Sequence, residues 1–145
     1  MMSLLFRELG AIPITETKRK PEYPFTTYQV LNYDTDYRYF GSIKQSDTGQ
    51  TYTRQPQMII SIDVYSNDII EALEKAQNAY DYFLFAGDDV LYAENYSVAK
   101  IGDIEDRTSL IVDEYEYRYG FDVWVRTVKT IERKTEFIEE VIINE

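Results

Sequence analysis

The sequence predicts an α+β fold: a mostly antiparallel β-sheet with one principal amphipathic helix packed on a face. Three segments carry this expectation. Residues 57–65 (QMIISIDVY) alternate strictly, with Met58, Ile60, Ile62 and Val64 facing one way and Ser61 and Asp63 the other, the period of a strand. Residues 66–87 (SNDIIEALEKAQNAYDYFLFAG) change period. There Ile69, Leu73, Ala76, Tyr80 and Phe83 fall at four- and three-residue steps and predict one buried helical stripe. Residues 116–134 (EYRYGFDVWVRTVKTIERK) combine aromatics, β-branched residues and charges with a single glycine and no proline, the composition of a long strand.

The elements follow in chain order. SLLFREL (3–9) predicts one or two helical turns ended by Gly10. PITETKRKPEYP (13–24) holds three of the four prolines and a Lys-Arg-Lys run, so residues 1–24 read as a short helix and an extended arm, and 25–145 as a single domain. FTTYQVLNY (25–33) is the first strand. In residues 34–55 the turn residues SDTGQ sit between two Tyr- and Thr-bearing arms, which predicts an extended excursion or hairpin. Ser66, Asn67 and Asp68 offer N-caps for the helix, Glu71 supports a capping box and precedes Lys75 by four, and Gly87 ends the helix.

ENYSVAKIGDI (94–104) predicts a short strand, and an irregular connection leads to the long one. There Phe121, Val123 and Val125 share the core face, opposite Asp122, Trp124 and Arg126. TEFIEEVIINE (135–145) predicts a last strand that pairs with its predecessor through a turn near residues 132–135.

Composition excludes several functions. The 145 residues suit one domain with a real core. No stretch approaches the length of an apolar membrane span, and MMSLLFRELG lacks the basic leader and long apolar run of a signal peptide, so the expected protein acts without membrane insertion or secretion. With neither Cys nor His, disulfides, the usual zinc sites and the Ser-His-Asp and Cys-His arrangements are ruled out. The aspartates of NYDTDYRYFG and GDDVLYAE lack the register of a calcium loop. They read instead as a turn and as the exit from the helix. Glu139 and Glu140 are adjacent on a predicted strand and point to opposite faces. The six scattered glycines form no phosphate cradle. No cofactor, metal or catalytic residue is therefore expected.

Charge is unevenly spread. The formal net charge is −11: residues 1–54 hold seven Lys/Arg against six Asp/Glu, and residues 55–145 hold eight against twenty. Such a body repels phosphate, and tight non-specific DNA binding is not expected. Fourteen tyrosines, many acid-flanked, fit half-buried strands and protein interfaces better than base-stacking grooves. The near-neutral excursion concentrates Tyr37, Arg38, Tyr39, Phe40, Tyr52 and Arg54, types enriched where interfaces bury most energy. These six are the candidate assembly interface.

The order of PEYPFTTYQVLNY, MIISIDVYSNDIIEALEKAQNAYDYF, YRYGFDVWVRT and FIEEVIIN over roughly residues 21–145 resembles the phage neck or tail terminator family. YPFTTYQV and RYGFDVWV are its most specific pieces, and no motif is catalytic. The resemblance implies a structural virion protein at the tail–neck junction, assembled in the host cytoplasm. It further implies a ring of identical copies, usually six, that caps the tail tube, stops its growth and meets the neck or connector protein. Tube and sheath proteins are implied partners, and DNA passes through without specific binding. Three other readings stay open: a different head–tail connector or tail-completion protein, a terminator of a headless contractile particle such as a bacteriocin, and a small acidic protein-binding domain.

Overall fold

A computed structural model of the chain describes residues 2–17, 21–35, 41–111 and 114–134. Its core is a sheet of seven strands. β1 (Ala11–Pro13), β2 (Phe25–Thr35), β5 (Gln57–Ser66), β9 (Glu114–Arg126) and β6 (Ser97–Ile101) lie side by side in that order. Further along β9, the short β7 (Glu105–Asp106) and β8 (Ser109–Ile111) take the place of β6. Among the described residues, β1–β2 is the one parallel pairing of this sheet and the others are antiparallel.

The alternation of β5 is realised. Met58, Ile60, Ile62 and Val64 are buried on one face. Ile62 pairs with Phe121, Ile60 with Val123 and Met58 with Val125, so the two central strands supply one continuous apolar surface. Three helical pieces cover it. α1 (Met2–Leu9) ends at Gly10, whose φ of 67° is the left-handed closure expected there. Its Phe6 stacks on Tyr28 at 3.5 Å and is buried in the shared core. α2 (Ile69–Asp81) starts at Asp68, whose carboxylate accepts from the Ile70 amide at 3.0 Å. Glu71 accepts from the Ser66 hydroxyl at 3.0 Å, and so braces the cap from a neighbouring residue.

Gly87 does not end the helical region. A π-helical turn (Tyr82–Ala86) follows α2 directly, and α3 (Asp88–Ala93) follows Gly87. The Gly87 amide donates to the Tyr82 carbonyl at 2.8 Å, and its carbonyl accepts from Leu91 at 3.0 Å. The backbone thus stays satisfied through the junction, and GDDVLYAE is a second helix rather than an exit.

The buried stripe also differs from the expected one. Ile69 and Leu73 are 39% and 38% exposed, whereas Ala72, Ala76, Ala79 and Phe83 are buried. At about 100° per residue, the inward face is turned by roughly 50° from the line through Ile69, Leu73, Ala76, Tyr80 and Phe83. Alanines at the contact let the helix axis approach the sheet closely. Tyr80 stays half-buried, and both Tyr80 and Phe83 meet Phe121 edge-on, at 5.6 and 6.1 Å.

Residues 116–134 are not one strand. The ladder breaks at Thr127 and Val128, and β10 (Lys129–Lys134) joins β4 (Gly49–Arg54) and β3 (Ser42–Gln45) in a separate three-stranded sheet. The hairpin expected at SDTGQ is present, with the Ser46 amide donating to the Gly49 carbonyl at 2.8 Å. Residues through Lys134 are strand, paired with β4 from Lys129↔Arg54 to Lys134↔Gly49. This replaces the turn placed near 132–135. The final strand expected over 135–145 lies outside the described residues.

Candidate assembly surfaces

Two surfaces and one polar cluster stand out above the core. The cluster lies on the sheet face opposite the helices. Arg107 donates to Ser61 at 2.8 Å, to Asp63 at 3.0 Å and to Asp122 at 3.1 Å. Arg118 donates to the second oxygen of Asp63 at 2.9 Å. Asp63 is almost fully buried, so its charge demands these partners. Burial opposes the charge on Arg107, but the hydrogen bond and charge of Asp63, followed by those of Asp122, outweigh it and raise the guanidinium pKa. Gly120 makes the arrangement possible, because a Cβ there would meet the Asp63 carboxylate at 2.1 Å and the Ile62 carbonyl at 2.4 Å. Two arginines on one carboxylate fasten β5, β9 and the β7 segment together. Among the described residues, no three Asp or Glu side chains converge to hold a metal ion.

The first surface is the three-stranded sheet, an arm that continues the β5–β9 ladder past Gln57↔Arg126 into Arg54↔Lys129. Its outer strands β3 and β10 are exposed at every residue, and among the described residues no element of the body packs extensively on it. Ile43, Tyr52 and Ile131 stand in one cross-strand row, and direct partners share a face. Ile43 is 64% and Ile131 49% exposed. By alternation along the strands, Arg54, Lys129 and Arg133 lie on that same face, where Arg133 donates to the Gln50 side chain. The arm over residues 42–54 and 129–134 carries five Lys/Arg against two Asp/Glu.

Of the six residues expected at the assembly interface, Tyr52 and Arg54 are half-buried on this arm. Tyr52 accepts from the Gly41 amide at 3.3 Å. Tyr37, Arg38, Tyr39 and Phe40 lie outside the described residues. Ile43 and Ile131 escaped the sequence reading because each is a lone apolar residue between polar neighbours. Only the register puts them in one row with Tyr52.

The second surface is the outside of the helical layer. Leu84, Phe85 and Tyr92 are 58%, 78% and 85% exposed. All three lie on the π-turn and α3, and Leu84 and Tyr92 line a groove of about 740 Å³ between this region and β6, an edge strand of the main sheet. Residues 68–94 hold seven Asp/Glu against one Lys; Asp88 and Asp89 line the groove. The π-turn is held from below by Tyr82, whose hydroxyl donates to Glu8 of α1 at 3.0 Å. Burial first, and then the Glu8 carboxylate, push its pKa up to about 12.

A family model described as phage neck terminator protein matches residues 2–145. No curated protein matches the chain.

Proposed function

The chain belongs to the phage neck terminator protein family, and from that premise we propose that it is the tail terminator, a ring of identical copies, six by the family resemblance. In this role it caps the tail tube, ends tube polymerisation and presents a surface to the neck or connector protein above. It works by contact alone, without catalysis or cofactor. The partners are further copies of itself, the tube protein, and the sheath protein where the tail is contractile, with DNA passing through unbound. The location that follows is the tail–neck junction of a particle assembled in the host cytoplasm.

The observation that supports this reading best is the arm. This three-stranded sheet has both outer strands open to solvent and leaves the apolar residues Ile43 and Ile131 exposed in a single copy. Exposed hydrophobic rows of this kind mark interaction sites. The candidate interface of Tyr37, Arg38, Tyr39, Phe40, Tyr52 and Arg54 belongs to this arm and the segment that leads into it.

The test is a mass measurement by light scattering, with and without the tube protein. Wild-type chain is expected as a closed oligomer that holds tubes to a fixed length. A chain replacing Tyr39 and Phe40 with serine is expected to stay folded while tubes grow without control. A monomeric wild type with no effect on tube length would instead favour the small acidic binding domain.

A further inference from the structure

The two exposed apolar surfaces are opposite in charge, and that opposition says what covers them. The arm presents Ile43, Tyr52 and Ile131 with a net positive charge. The helical layer presents Leu84, Phe85 and Tyr92 with a strongly negative one. Apolar contact supplies the affinity of such an interface, and complementary charge supplies register and rejects wrong pairings. Two copies docked arm to arm, or helix to helix, would set like charges against each other. Arm to helix sets opposite ones. Among the described residues of a single chain, no element of the helical layer packs extensively on the arm.

We infer that the arm of one copy docks on the helical layer of the next, with Ile43, Tyr52 and Ile131 laid against Leu84 and Tyr92 at the groove beside β6, and the arm's cations facing Asp88 and Asp89. The occupant is a second copy of this chain. Duplex DNA fits the arm less well, because an apolar row occupies its centre and the rest of the molecule repels phosphate. A contact between two different patches is heterologous. Each docked copy leaves one free arm and one free helical layer, so the assembly grows head to tail until the rotation closes it. This inference rests on the ring reading and identifies the contact that builds the ring.

Charge reversal on full-length protein tests it. In one variant Lys129→Glu and Arg133→Glu make the arm face that carries the apolar row acidic; in the other Asp88→Lys and Asp89→Lys make the wall of the groove basic. All four positions are exposed. Each variant alone then sets like charges at every junction and is expected to run at monomer mass. An equimolar mixture is expected to regain the assembled mass, because alternating copies restore opposite charges at every junction. Defects of folding cannot be cured by mixing, so the rescue isolates the contact. If either variant alone assembles like wild type, or if the mixture stays monomeric, the arm-to-helix contact is wrong while the ring reading stands. Wild-type chain that remains monomeric at high concentration overturns both. An arm variant that assembles normally but loses affinity for a short DNA duplex assigns the arm to DNA and overturns the contact.

Discussion

Gly120 is the residue on which the polar face of the sheet depends. It pairs with Asp63 across β5 and β9, and the carboxylate that Arg107 and Arg118 share occupies the space a side chain would need. Gly120→Ala is therefore expected to push Asp63 off its partners and to cost about 3 kcal/mol, the upper range for overpacking and near that for breaking a buried ion pair. Chemical denaturation measures it. A midpoint equal to wild type would mean that the cluster yields freely and does not hold β7 to the sheet. The glycine was visible in the sequence; its reason was not, because Arg107 comes from a connection that showed no pattern.

At the scale of the element, the helix teaches how far periodicity reaches. Spacing located the helix and its start, and Asp68 caps it. It did not set the rotation about the helix axis, because Ile69 and Leu73 on one flank and the alanines on the other satisfy a 3.6-residue period equally well. Packing chose the alanines. Leu73→Ala is accordingly expected to cost less than about 1 kcal/mol, well below the figure for a buried leucine, whereas Phe83→Ala should cost about 3–5 kcal/mol. Thermal or denaturant unfolding of the pair decides the matter. Equal losses would return Leu73 to the core.

For the whole molecule, charge is the property with consequences. The net charge is −11, yet five of the 15 Lys/Arg sit on one short arm that is net positive, and the acidic remainder is expected to repel nucleic acid. Titration of wild-type protein with duplex at low salt is expected to give no saturable binding. Submicromolar affinity that fell steeply with added salt would contradict this.

What the sequence determined by itself is local and periodic. It established the α+β class, the strands at 25–33 and 57–65, the core face of Phe121, Val123 and Val125, the hairpin turn at SDTGQ and a helix within 66–87, though not where that helix ends. The resemblance carried by YPFTTYQV and RYGFDVWV pointed to the family. Each of these is written in spacing between residues close in the chain. Only the tertiary structure decided that the run 116–134 divides at Thr127, that Lys129–Lys134 pairs with Gly49–Arg54, and that Ile43, Tyr52 and Ile131 form one row. The physical reason is that strand pairing is a contest among distant segments. The alternation of a strand says that it has two faces but not which strand lies beside it. Register then determines which scattered side chains become a surface.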